Sequence, residues 1–146
     1  PGVSVGRNTW FEGVRRIQVG RGTYIGNHCS LRAVHEIRVG ENCSLQDGAF
    51  LSGDIVIGEN TRIANKVSIH SFDHGLRRDQ PIHTQPVEGG TVEIGRDVWI
   101  GAQVVILKGA RIADGAVIGA GSVVTGPIGP CAIATGVPAR EIGTRP

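Results

Sequence analysis

The sequence has no methionine, and only one tyrosine, two tryptophans and three phenylalanines in 146 residues. So few rings cannot fill a conventional core, where aromatic side chains carry much of the buried area. No run of eighteen apolar residues occurs, which excludes a membrane-spanning helix. Neither sign of charge is in excess. Fifteen Lys and Arg against thirteen Asp and Glu leave +2, too little for the basic stripe of a nucleic-acid binder, so no nucleic-acid partner is expected. Cysteine is scarce as well: Cys29, Cys43 and Cys131 are odd in number and form no CxxC pair. That argues against a disulfide framework or zinc knuckle and for reduced thiols in a cytoplasmic protein. The opening Pro1, Gly2, Val3 and Ser4 give no charged region followed by an apolar stretch. No signal peptide is therefore expected, and the missing initial Met fits a trimmed chain.

Against these absences stand twenty-three glycines and a repeat. An aliphatic residue recurs every sixth position in groups of three: Val19, Ile25, Leu31; Val39, Leu45, Leu51; Ile57, Ile63, Ile69; Ile94, Ile100, Ile106; Ile112, Ile118, Val124. With Val, Ile and Leu making up roughly a quarter of the chain, chance produces all fifteen on the order of once in a billion trials. The next residue is often glycine, as at Gly20, Gly40, Gly58 and Gly101. Four residues after the aliphatic comes a second inward candidate, usually small or aliphatic: Thr23, Cys29, Cys43, Ala49, Thr61, Val67, Val98, Val104, Ala110, Ala116 or Ser122. Only His35 and Asp73 break that rule with strongly polar side chains.

A helix needs apolar residues at i, i+3, i+4 and i+7, and a half-buried strand needs alternation. A period of six fits neither. It fits a prism in which each hexad is a short strand and a bend, three hexads close an eighteen-residue coil, and stacked coils bury the aliphatics along a common axis. Bends such as Gly26-Asn27 and Glu59-Asn60 supply turn dihedrals. Two departures interrupt the register. Ile37-Arg38 reads as a two-residue insertion, a bulge between coils. The longer one, Gly75 to Glu93, holds Pro81, Pro86, Gly89, Gly90 and His83 and keeps no period, so it must project from the stack. Loops of this length in compact domains usually serve function. The expected organisation is one domain over residues 1–146, with a projecting loop at 75–93 and a short C-terminal tail at 131–146.

His74 stands just before that loop, five residues after the inward Ile69. Downstream come Ile94-Gly95-Arg96-Asp97-Val98-Trp99-Ile100-Gly101-Ala102, then Val105 to Ile112, Ile118 to Thr125, and Gly136-Val137-Pro138-Ala139-Arg140. This ordered series, over roughly residues 39 to 142, resembles the hexapeptide acetyltransferases of the maltose, galactoside and streptogramin type. The resemblance implies an all-β, left-handed parallel β-helix assembled as a homotrimer. It also implies acetyl-CoA as the acyl donor and a saccharide or other small-molecule hydroxyl as acceptor, with no metal. Carried over by position, it makes His74 the general base, Trp99 and Ala102 the wall of the acetyl-CoA site, and Ala120, Thr125 and Arg140 the lining of its pantetheine and nucleotide end. Gln46 and Asp47 fall near the position from which relatives contact the acceptor. The chain departs from the family pattern at Gly126, where many relatives have Lys, and at Val137, where Asn is common. The usual C-terminal helix is nearly absent after Glu141.

The chemistry suits these residue types. Acetyl transfer from a thioester needs a base to take the proton of the attacking alcohol, and a neutral imidazole is matched to that task near pH 7. The thioester is already activated, so no enzyme nucleophile is needed, and no Gly-x-Ser-x-Gly motif is present. Arg77 and Arg78 are candidates for steering an anionic donor. Two other readings compete. Gamma-class carbonic anhydrases share the prism and bind zinc through three histidines, for which His35, His70 and His74 would be the candidates; that family resembles a His-x4-His pair, whereas this chain has His-x3-His. A non-catalytic prism used as a scaffold is the third reading, against which the His74, loop and Trp99 combination argues.

Overall fold

The computed structural model describes residues 2–13 and 15–146. In it the aliphatics of equivalent hexads stand directly above one another. On the first face of the prism Val5, Ile25, Leu45, Ile63, Ile100, Ile118 and Ala134 pair in one parallel column. On the second face Phe11, Leu31, Leu51, Ile69, Ile106 and Val124 do the same. The third face stacks Val19, Val39, Ile57, Ile94 and Ile112, with Ile128 bridged to the last. No single coil could satisfy its own backbone. The bonds run from coil to coil instead: Phe50 N–H donates to Val67, Ser68 N–H to Val104 and Val105 N–H to Ser122, all at 2.9 Å. The result is a parallel β-solenoid of hexapeptide repeats, two hexads longer at each end than the fifteen aliphatics predict. The ends escaped the pattern because Phe11 to Val19 spans eight residues, Val124 to Ile128 spans four, and the top aliphatic is the small Ala134.

All eleven small or aliphatic residues at the second inward offset are buried. The polar ones are tolerated because each is hydrogen-bonded between coils. Thr23 Oγ1 donates to Gly40 O at 2.8 Å and accepts from Cys43 N–H at 3.0 Å, and Thr61 Oγ1 donates to Gly95 O at 3.0 Å. Cys43 Sγ lies 3.1 Å from Gly58 O. Burial pushes the Cys29 and Cys43 thiols up, and neither forms a disulfide. His35 and Asp73, the two polar exceptions, are both exposed because each sits where the coil has left its regular path.

The structure corrects four expectations. The glycine that follows the aliphatic does not supply the turn dihedral; it lets coils approach. A Cβ on Gly20 would lie 2.5 Å from the backbone of Gly40 and Glu41, and one on Gly40 would lie 2.5 Å from Glu59 N. The left-handed turn conformation falls two residues later, on Asn42, Asn60 and Asp97, with φ of 53°, 61° and 53°. The insertion is not at Ile37-Arg38. Ile37 is fully buried and in register with Ile17 and Ile55. The two-residue excess lies in Val34, His35 and Glu36, three residues opposite the single Asp54. The excursion from Gly75 ends before Glu93, since Thr91–Ile94 already pairs with Asp54–Ile57 and buries Val92. Residues 131–146 are not a plain tail. Ala132–Gly136 continues the first face, and Ala139–Thr144 folds back against it antiparallel, burying Ala139.

Candidate functional site

The bulge and the excursion leave the prism from the same edge, between the second and third faces. His74 stands on this edge in a two-stranded ribbon, Phe72–His74 against Val87–Gly89, with His74 opposite Val87 and Phe72 opposite Gly89. Opposed residues of an antiparallel pair share a face. One face of the ribbon therefore carries Phe72, His74 and Val87, and the other carries Asp73 and Glu88. The second face is tied to the next coil, where Lys108 Nζ lies 3.5 Å from Asp73 Oδ2 and 3.4 Å from Glu88 Oε2.

Beyond the ribbon the chain is knit rather than loose. Gln85 is buried; its Oε1 accepts from Arg77 N–H at 2.8 Å, and its Nε2 donates to Arg77 O at 2.8 Å and Gln80 O at 3.0 Å. Gly75 is required beside it, since a Cβ there would meet Gln85 Oε1 at 2.6 Å. Arg77 is held by Asp79, whose carboxyl this pairing lowers, and Arg78 and His83 are exposed. Leu76, Ile82 and Val87 also face outward, at 86%, 57% and 54% exposure, an uncovered apolar set on a projecting element.

The remaining candidates lie elsewhere on the prism. Trp99 is on the first face, 58% exposed, next to Val117. Ala102 and Ala120 lie on successive coils of the edge between the first and second faces, linked by Gly121 N–H to Ala102 O at 2.9 Å. Arg140 pairs with Thr135, one coil further on, and is exposed. These four form one run along the prism. Thr125 lies apart from them, on the edge that bears His74, where Leu107 N–H donates to Val124 O. Gln46 and Asp47 lie on the same edge as Ala102 but on lower coils. Asp47 is already engaged: its Oδ1 accepts from Asn27 N–H at 2.8 Å, the leading cause of its lowered pKa. In a triangular prism the edge carrying His74 is opposite the first face, so one chain does not bring His74 and Trp99 together.

The zinc candidates are dispersed in a similar way. His35 Nδ1 is 2.7 Å from Asp54 Oδ2, and the His70 ring packs on Phe50 with centroids 5.4 Å apart. Among the described residues no three His, Cys, Asp or Glu are grouped to hold a metal ion. Sequence reasoning missed Gln85, Lys108 and the His35–Asp54 pair, because each acts through a partner distant in the chain.

Residues 91–126 match the family model described as bacterial transferase hexapeptide (six repeats). The chain is 34% identical over 143 residues to galactoside O-acetyltransferase of Escherichia coli K12, covering 95% of this chain and 62% of that protein. It is 31% identical over 158 residues to a chloramphenicol acetyltransferase of Morganella morganii, covering 99% of this chain and 69% of that one. The chain belongs to the hexapeptide-repeat acetyltransferases. A solved galactoside acetyltransferase in complex with coenzyme A superposes with a TM-score of 0.58 at 29% identity, covering 97% of this chain and 64% of that one. This family member thus spans about six-tenths of the galactoside enzyme's length. The carbonic anhydrase reading gives way to the acetyltransferase family.

Proposed function

We propose that this chain transfers an acetyl group from acetyl-CoA to a hydroxyl of a sugar or sugar-like small molecule, with His74 as general base. The observation that carries the reading is the station of His74, on a braced ribbon at the mouth of a prism-edge excursion, in a chain whose relatives are named acetyltransferases. A ring nitrogen of His74 takes the hydroxyl proton as the acceptor oxygen attacks the thioester carbonyl. The tetrahedral intermediate collapses, the C–S bond breaks, and the imidazolium returns the proton to the departing thiolate. A backbone N–H stabilises the oxyanion.

Trp99, Ala102, Ala120 and Arg140 would hold the donor, the two alanines leaving a shallow groove beside the indole and Arg140 meeting phosphate; Thr125 would join them from a neighbouring protomer's edge. Because His74 and Trp99 lie on opposite sides of one prism, a site using both is composed of two chains. A closed ring of three prisms would supply three such sites and cover Leu76 and Ile82, which stand exposed on one chain. The three free cysteines and an acetyl-CoA donor fit a cytoplasmic setting. Arg140→Ala is expected to weaken coenzyme A binding about five- to thirty-fold in calorimetry, the worth of a charge-assisted phosphate contact; an unchanged affinity removes Arg140 from the site. The function itself is tested by incubating the protein with acetyl-CoA and a panel of sugars and nucleotide sugars while following thiol release. Acceptor-dependent release is expected. Release with none of them, from protein that binds coenzyme A, contradicts the reading.

A further inference from the structure

Below the ribbon is a cleft of about 300 Å³, lined by Val34, His35, Asp54, Ser71, Phe72 and Val87. It exists because two irregularities leave the same edge: the bulge at Val34–Glu36 forms one wall and the ribbon forms the other. Asp54, in the coil between them, holds the bulge in place. Its Oδ1 accepts from His35 N–H at 2.7 Å and Glu36 N–H at 3.0 Å, its Oδ2 lies 2.7 Å from His35 Nδ1, and its own N–H donates to Ser71 Oγ at 2.7 Å. Burial pushes the Asp54 carboxyl up, but the hydrogen bonds from His35 and Glu36 outweigh it and leave it lowered. An ionised carboxylate only accepts, so the proton of a neutral His35 ring sits on Nδ1 and Nε2 presents its lone pair. Among the described residues Nε2 has no partner, and the side chain is 65% exposed. Phe72 and Val87 give the cleft an apolar wall, and they share the ribbon face that bears His74.

We infer that His35, oriented by Asp54, is a specificity-determining residue that accepts a hydrogen bond from a non-reacting hydroxyl of the acceptor while the apolar wall takes the acceptor's C–H face. The inference rests on the acetyl-transfer reading and adds to it. A molecule with hydroxyls on its rim and an apolar ring face, such as a hexopyranoside, satisfies both walls at once, whereas a flat apolar alcohol leaves His35 unpaired. Phe72 lies two residues from His74, about 7 Å along the strand. A ring seated on Phe72 and Val87 therefore brings a second hydroxyl to the base.

The test uses full-length protein saturated with coenzyme A and, as probes, methyl hexopyranosides and their single-deoxy forms. Binding is followed by calorimetry and by the imidazole resonances of His35. One or more glycosides should bind wild type and shift the His35 ring signals. His35→Ala and His35→Phe should each weaken that binding about five- to fifty-fold, as expected for a removed hydrogen-bond partner. One single-deoxy form should bind wild type and variants alike. In turnover the loss should fall on acceptor KM, with kcat largely kept. Binding insensitive to both substitutions overturns the inference, as does a loss confined to kcat, which would make His35 a base. If no hexopyranoside binds while other hydroxyl acceptors release thiol from acetyl-CoA, the inference fails and the acetyl-transfer reading stands. If no hydroxyl acceptor is turned over at all, the reading itself fails.

Discussion

Ile118 has one methyl-rich side chain and almost no solvent exposure, and its neighbours above and below are Ala134 and Ile100. A carboxylate placed there has no cation and no spare N–H to meet, because the backbone donors around it are already spent between coils. Burying it unpaired costs on the order of several kcal/mol against a folding margin of about 5–15 kcal/mol. Ile118→Asp is therefore expected to yield no soluble folded protein, and a melting temperature like that of the parent would mean the stacking register is wrong. At this scale the sequence was largely legible. Every one of the small or aliphatic residues set four places after its aliphatic is buried, and the period alone located them. What could not be read was the reason for each glycine. Gly40 and Asn42 look like one turn in the sequence, yet the first serves coil approach and the second carries the positive φ, a distinction that depends on the coil next door.

The ribbon that carries His74 shows where reading by period stops. Phe72–His74 and Val87–Gly89 are too short to be stable as an isolated hairpin, and their hold on the prism comes from Lys108, which meets one carboxylate on each strand. No spacing rule links residue 108 to residues 73 and 88. Both carboxylates are more than half exposed, so the pairs together add little to stability. Their consequence is positional. Lys108→Met is expected to leave the melting temperature and coenzyme A affinity near those of the parent while lowering kcat roughly ten-fold, since small displacements of a base are costly; Lys108→Arg should restore much of it. A kcat unaffected by Lys108→Met would show that the ribbon holds its position without the clamp. The bulge likewise depends on a residue of another coil. Two extra residues were evident between Leu31 and Val39, but their placement at Val34–Glu36 depends on Asp54, whose carboxylate collects the freed N–H groups.

At the scale of the whole molecule, a prism has three faces and a single thin core, and this one spreads its candidate site residues over opposite sides. The resemblance implies a homotrimer, and the exposed Leu76 and Ile82 would give one a physical motive. Light scattering is expected to return three times the 15.3 kDa chain mass; a monomer that retains full acetyl transfer would contradict the shared site. In the proposed reaction His74 performs the proton transfer. The decisive measurement compares acetyl-CoA-dependent thiol release by the parent and His74→Ala, with coenzyme A binding followed on the same samples. Turnover is expected to fall by about 10²–10⁴, the usual worth of a positioned general base, with the fold and donor affinity unchanged. Turnover within a factor of about two of the parent, under the same conditions, would contradict it.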